Sequence, residues 1–538
     1  MGVMGRLAGV WAVFCLLGSA LPVGSAEPRP LRIGLVQQPN SLDPLHAVQF
    51  YENYLAEGIF SSLTVIDDRG EVAPDLAESV PTRRNGGISP DGKTITYRLR
   101  AGVRWQDGVA LTSRDVAFTL REMRDPKTNF PEVSVYSIIE RLDTPDERTV
   151  VLHLRAPWAD ATANLFVGGQ DGSIVPEHVL RAVSDLNASS FEAKPIGSGP
   201  YVVETWERGS RLVLRANPDY FRGKPHVGRI EFRYVPDQNT LALQVTTGEL
   251  DFSPQIPVQF ASRLHDTAAL RVRAVATFND NELLFNTRNA PFDDARVRRA
   301  LGLAIDRERL VTSVYRGFAV AADDLVPPQS PFHSADPQLK LGGDAEAARR
   351  LLDAAGWKSG PDGVRRRNGA PLTFALSLPA GYPTLAAVAV QLQAMWHAVG
   401  VDASLRPAPS NVLLAPASGL LPHGDYAAAL VTDGYGTSAD RADTLTSQGL
   451  PPTGRNYSRY ADREVDRWTA EARAEVDERR RASLYARISQ RVRRDAPLVT
   501  LIWQKQIYVY SGAIQGLRPE PVNSDFWNVY AWRLTTRN

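Results

Sequence analysis

Apolar positions along this chain follow two periods, and each predicts its own kind of element. Leu31, Ile33 and Leu35 alternate with Arg32 and Gly34, and Ile95, Tyr97 and Leu99 alternate with Thr94, Thr96, Arg98 and Arg100. A period of two marks half-buried strands. Further strands are expected at Leu63–Ile66, Thr149–Leu154, Ile230–Val235, Leu283–Thr287, Leu372–Leu378, Val401–Leu405, Tyr426–Val431 and Leu498–Trp503, with residues 125–158 read as sheet throughout. The helical period appears elsewhere. From about Asp294, Val297, Leu301, Ala304 and Ile305 share one face, and from Asp344, Ala348, Leu351, Leu352 and Ala355 do the same before Gly356 stops the helix. Tyr51–Leu63, Thr240–Thr247, Leu385–Val399 and the charged stretch 461–495, with Leu484, Ile488 and Val492 inward, complete the predicted helices. The arginines at 296, 298 and 299 fall off the apolar face and are read as solvated or salt-bridged.

Turn chemistry arranges these elements. Thr112 with Asp115 three residues on is a capping-box start for a helix carrying Val116, Phe118 and Leu120. Strand 372–378, helix 385–399 and strand 401–405 form one βαβ unit, which requires a parallel pair and a right-handed crossover. The chain is therefore α/β. Gly87–Thr94 matches the spacing of a phosphate-binding loop, but Arg83-Arg84-Asn85-Gly86 precedes it and an alternating strand follows. A phosphate cradle needs a buried strand before it and a helix N-terminus after it, so this match is accidental.

Composition narrows the class. At 538 residues with 43% hydrophobic side chains, the chain can bury large cores in two to four lobes. Sixty-one basic against sixty acidic side chains give nothing that draws the whole molecule to nucleic acid. Residues 1–26 read as a cleaved secretory signal: Arg6, an apolar run from Leu7 to Leu17, and Gly24-Ser25-Ala26 as the cleavage site. The one cysteine, Cys15, lies inside that run behind Phe14, which does not fit lipid attachment, so export without a lipid tether points to a periplasm. The mature chain then has no disulfide, thiol nucleophile or cysteine-based metal site.

The order of Asp75-Leu76-Ala77-Glu78, Asp91-Gly92-Lys93-Thr94, Gly102-Val103-Arg104-Trp105-Gln106-Asp107-Gly108 and the capped helix resembles the signature of the family 5 extracellular solute-binding proteins, the peptide- and nickel-binding receptors of ABC importers. Other segments follow in the same order: the Leu42-Asp43-Pro44 loop, Gly197-Ser198-Gly199-Pro200-Tyr201, Asn217-Pro218-Asp219-Tyr220 and Gly248-Glu249-Leu250-Asp251. The resemblance implies a two-lobed, type II (Venus-flytrap) periplasmic binding protein with an extra subdomain in lobe one. Lobe I would take residues 27–278, including an insert over about 46–185; lobe II would take 279–499, and 500–538 would return to lobe I. It also implies a monomer that captures a peptide or peptide-like solute and delivers it to an inner-membrane permease.

The resemblance carries one binding residue in particular. Peptide-binding members follow a hydrophobic strand with Gly-Trp-x-x-Asp-x-x-Asp-Pro, whose first Asp takes the peptide amine. Gly436-Thr437-Ser438-Ala439-Asp440-Arg441-Ala442-Asp443-Thr444 is the nearest match here, with Asp440 in the amine-binding place; an alternative register puts Ser438 there. Tyr435, Asn286, Ser198, Gly199, Trp503 and Ser41 are the other residues expected at the ligand. No cofactor and no metal are implied. The eight histidines show no His-Glu-x-x-His or other close ligand spacing, and there is no Gly-x-Ser-x-Gly elbow, so an exported hydrolase stands second. Within binding, the alternatives are a nickel chelate, a sugar or an opine-like solute.

Overall fold

The computed structural model describes Gly2 and residues 29–535, apart from 48–49, 169–171, 255, 336–340, 416–417, 435, 521 and 523–524. The stretch read as a secretory leader, except Gly2, and its expected cleavage site lie outside the described residues. Ten strands make the spine: β1 (Leu31–Leu35), β2 (Tyr201–Glu207), β3 (Arg211–Ala216), β4 (Arg229–Tyr234), β5 (Phe252–Ser253), β6 (Leu270–Phe285), β7 (Thr373–Pro379), β8 (Asp402–Ala408), β9 (Ala428–Gly434) and β10 (Leu498–Ser511). They run side by side in the order β8-β7-β9-β6-β10-β5-β1-β4-β3-β2, with Ala319–Ala321 joining β10 off that path. The predicted βαβ unit is present: β7 and β8 pair in parallel from Thr373↔Asp402 to Pro379↔Ala408, bridged by a helix at Pro383–His397.

Two cores form on this spine. One gathers buried side chains from residues 31–252 and 508–532, with a satellite over 241–261 and residues 507 and 509; we call this half lobe I. The other gathers residues 283–502 and is lobe II. Residues 94–98, 149–154 and 139–146 form a separate three-stranded sheet attached to lobe I. Within the stretch expected to be sheet, Val133–Tyr136 instead makes one helical turn that buries Tyr136.

β6 and β10 are longer than their apolar cores predict, and the extension is polar. Periodicity marks Leu283–Thr287 and Leu498–Trp503, whereas the strands run over 16 and 14 residues. Their lobe I halves pair from Leu270↔Ser511 to Ala276↔Lys505, and their lobe II halves from Asp280↔Trp503 to Leu284↔Leu498. Register slips between Ala276 and Asp280, where Thr277–Asn279 oppose Gln504, and again between Asn281 and Glu282. Bulges of this kind bend a strand and interrupt its ladder. Both strands thus pass between the cores through an irregular, polar section.

Several sequence signatures prove to be clasps. Gln106 of the Trp105 loop donates Nε2 to Tyr201 O at 2.7 Å and accepts from Gly197 N at 3.0 Å, so two signature stretches lock together. A Cβ on Gly197 would lie 1.8 Å from Ile59 O, and one on Gly199 2.6 Å from Ile59 C; only glycine permits this approach to the end of the helix α1 (Phe50–Ile59). Asp251, fully buried, accepts from Arg29 Nη1 at 2.7 Å and Arg32 N at 2.9 Å, fastening β1 to the turn before β5. The Gly87–Thr94 segment is a turn running into the strand Thr94–Arg98, so no helix N-terminus faces it.

Lobe II carries four helices used below: α2 (Ala295–Leu303), α3 (Arg307–Ser313), α4 (Arg463–Ala474) and α5 (Glu478–Asp495). The arginine row on α2 is not uniformly solvated. Arg298 is buried, donating to Phe292 O at 2.6 Å and to Asp495 O and Ala496 O at 3.0 and 3.1 Å. A cation there answers the carbonyls left open at the C-terminus of α5. Burial lowers its guanidinium, opposed by Asp495.

Candidate functional site

The seam between the lobes is built from charged side chains at the ends of strands and helices. Asp160, on the lobe I attachment, faces the loop after β9 and the first turns of α5 in lobe II. Ser438 Oγ donates to Asp160 Oδ2 at 2.5 Å, and Arg481 of α5 pairs with the same oxygen. Arg481 also lies over Phe332, with 4.6 Å from its guanidinium carbon to the ring centre. Burial works against the Arg481 charge, but Asp160 and Tyr485 outweigh it and hold the guanidinium above its ordinary value. Beside this pair, Ala159 N donates to Arg473 O at 2.8 Å and the Arg473 head sits 5.1 Å from the Trp158 ring centre. Lobe I therefore grips α4 and α5 together through consecutive residues.

Asp440 lies one turn further. Its backbone N–H donates to Ser438 Oγ at 3.0 Å, its Oδ1 accepts from Ala442 N at 2.9 Å, and its Oδ2 meets Arg473 Nε at 2.9 Å. The carboxylate thus serves as a turn cap and already has a cation of its own chain. Burial raises the Asp440 carboxyl, and Arg473 opposes that rise.

A second charged cluster sits where the long strands cross. Arg441 pairs with Glu282 and with Asp280 Oδ2 at 3.4 Å, all three being at most 5% exposed. Two carboxylates face one guanidinium, and Asp280 Oδ1 has no hydrogen-bond partner among the described residues. Burial first and then the Glu282 charge push the Asp280 carboxyl well above the carboxylate range. Trp503 pairs with Asp280 across β6 and β10, and Tyr315 donates to Asn281 next to it.

The residues expected at the ligand separate into groups. Ser438 and Asp440 come together at the seam, and Trp503 lies at the crossing, 1% exposed. Ser198 and Gly199 belong to the turn against Ile59, where Gly199 N donates to Ile59 O at 2.8 Å and Gly199 O accepts from Asn217. Asn286 bonds Gly424 O and Tyr426 O inside lobe II, and Ser41 caps its own loop by accepting from Asp43 N at 2.9 Å. Tyr435 lies outside the described residues. Sequence reading passed over Asp160, Arg481, Arg473 and the 280/282/441 cluster. One signal was available: the polar run Asn279-Asp280-Asn281-Glu282 directly before the apolar Leu283-Leu284-Phe285.

Among the described residues, no group of three or more His, Cys, Asp or Glu side chains could hold a metal ion, and no helix is long and apolar enough to cross a membrane. Comparison with known proteins gives a consistent result. The family model described as bacterial extracellular solute-binding proteins, family 5, middle, matches residues 71–457. The chain is similar to Protein XP55 of Streptomyces lividans, 28% identical over 510 residues with 95% of this chain and 90% of the relative covered. It is also similar to the oligopeptide-binding protein AppA of Bacillus subtilis, 26% identical over 515 residues, 94% and 91% covered. The solved structure of that AppA in complex with a nonapeptide superimposes with a TM-score of 0.77 at 24% identity, covering 94% of this chain and 99% of the other. The fold is the two-lobed, type II periplasmic binding protein.

Proposed function

Because the chain belongs to the bacterial extracellular solute-binding proteins of family 5, we propose that it is the periplasmic receptor of an ABC importer, capturing a peptide or peptide-like solute between its lobes and handing it to an inner-membrane permease without chemical change. The observation that carries this reading is the crossing: two cores share β6 and β10, and both strands lose regular pairing at the same level, between Ala276 and Asp280. A hinge there lets the lobes rotate about two strands, and closure removes a solute from water, where its few ionic contacts strengthen. The similarity to AppA, whose structure holds a nonapeptide, supports a peptide as the solute class. On this reading residues 1–26 are removed on export, lobe I spans 27–278 with its insert at about 46–185, lobe II spans 279–499, and 500–538 return to lobe I. The mature protein works as a monomer.

The test begins with the solute. Native mass spectrometry of the mature protein purified from its own periplasm should show a bound small molecule that is released on denaturation and identified as a peptide. Calorimetry with that peptide should show saturable, one-to-one binding. Release of a nickel chelate, a sugar or an opine would leave the receptor reading and overturn the solute class. Turnover of peptides or esters abolished by a single Ser or Asp substitution would overturn the receptor reading itself.

A further inference from the structure

Lobe II holds a cavity of about 300 Å³ lined wholly by residues between 299 and 500, so no lobe I core residue borders it. That volume is at the lower end of the roughly 300–1,000 Å³ of small-molecule sites. Its walls come from the end of α2, the start of α3, the loop after Ala319–Ala321, the last turn of α5 and the first residues of β10. Leu303, Leu325, Leu498 and Val499 supply apolar surface.

The arginines on this wall differ in how they are used. Arg493 is held by Asp324 Oδ1 at 3.1 Å and Arg494 by Asp495 Oδ1 at 3.0 Å. Asp323 stands 3.5 Å from His333 Nε2. Arg307 is 6% exposed, and among the described residues its guanidinium makes one hydrogen bond, Nε to Thr500 O at 3.2 Å. A guanidinium carries five N–H donors, so most of its donors remain unspent among the described residues. Arg299 stands exposed on the cavity's edge and forms no ion pair among the described residues. Burial draws the Arg307 guanidinium down to about 10, opposed by Asp323, and it stays charged at neutral pH.

A buried, under-used cation beside apolar walls has the chemistry of a carboxylate receptor, since charge-assisted bonds to planar carboxylates are what a guanidinium makes best. We propose that this cavity is a second binding site, separate from the interlobe seam, for a small organic monocarboxylate: its carboxylate on Arg307, Arg299 at the mouth, its apolar body against Leu303, Leu325 and Val499. The apolar walls favour such an acid over inorganic phosphate.

Benzoate is the probe, with benzamide and inorganic phosphate as comparators, titrated into the full mature protein by calorimetry and saturation-transfer NMR. Benzoate should bind saturably and benzamide should not. Arg307→Met, which keeps the volume and removes the charge, should weaken benzoate by about tenfold or more, and Arg299→Ala by a smaller factor. Should Arg307→Met fail to fold, Leu303→Trp, which fills the cavity from its half-buried wall, replaces it, with loss expected in the same direction. Asp440→Asn at the seam should leave benzoate binding unchanged, which separates this site from any failure of the peptide reading. Equal binding of benzoate and benzamide, tighter binding of phosphate, absence of saturation, or benzoate affinity indifferent to the cavity substitutions would each overturn the proposal.

Discussion

Replacing Asp160 by Asn tests whether the seam controls closure. The carboxylate reaches across the lobes to Ser438 Oγ and Arg481, whose side chain is 7% exposed and whose Nε has no hydrogen-bond partner among the described residues. The amide keeps the shape and removes the charge, stranding a guanidinium that water reaches poorly. Breaking a buried pair costs about 3–5 kcal/mol, and a charged hydrogen bond is worth about 1.5–3 kcal/mol. Asp160 keeps some exposure and Asn can still accept one bond, so about 2 kcal/mol is the working figure. That cost falls on the closed form alone. If the solute binds the closed form, affinity drops by the same amount, about 30-fold. Ser438→Ala, losing one hydroxyl bond, should cost about 1 kcal/mol, about fivefold. Calorimetry with the natural solute supplies the affinities, and small-angle scattering with and without it supplies the shape. Wild-type affinity together with wild-type compaction in Asp160→Asn would refute the seam as a closure contact.

Four further outcomes follow from named contacts. Burial and the Glu282 charge raise the Asp280 carboxyl above its unfolded value of about 3.9, so folding favours a proton there and stability falls as pH rises from that value towards the folded one; Asp280→Asn should flatten this decline in urea midpoints measured upward from about pH 4. His46 moves up chiefly through its bond to Asp43, against burial, so its stabilisation is complete below about pH 6.5 and is lost as pH climbs through the raised folded value; His46→Gln should remove that part of the profile. Gly197→Ala drives a methyl group into Ile59 O and should lower stability by about 2 kcal/mol or more in chemical denaturation. Asp251→Ala removes the carboxylate that Arg29, Arg32 and the Arg32 backbone N–H bind, and since both arginines can turn into water it should cost about 1–3 kcal/mol by the same measurement.

Much of the fold was legible because its determinants are local. The period of two at Thr94–Arg98, the helical stripe Val297, Leu301 and the stop at Gly356 each reflect a few neighbouring residues, and the strand–helix–strand unit at 373–408 follows from their succession. The crossing strands were under-read for a physical reason. Apolar alternation reports burial against a core, and at the hinge β6 turns polar because it passes between cores, so Asn279–Glu282 carries no strand period while the backbone continues unbroken from Leu270. The signature stretches were legible as landmarks but not as clasps. That Gln106 holds the Gly197 turn, across 91 residues of chain, depends on a tertiary contact that no spacing rule encodes. The seam escaped for the same reason: Asp160 and Arg481 stand 321 residues apart.

The seam's two acids differ in what they can offer a solute, and their burial separates them. Asp160 is matched to Arg481 in a pair whose side chains are 13% and 7% exposed, so a solute ammonium competing for it would strand the guanidinium at a cost of several kcal/mol. Asp440 is matched to Arg473, whose side chain is 41% exposed and can turn into water. Ion pairs with one exposed partner are worth about 0–1 kcal/mol, so an arriving cation displaces Arg473 at little cost and gains a carboxylate that burial has already partly stripped of water. On these magnitudes we propose opposite duties for the two acids: Asp160 holds the lobes together, and Asp440 is the exchangeable partner. On this proposal Asp440 meets the solute amine even though its own chain neutralises it, because the cation it holds is the one most easily given back to solvent.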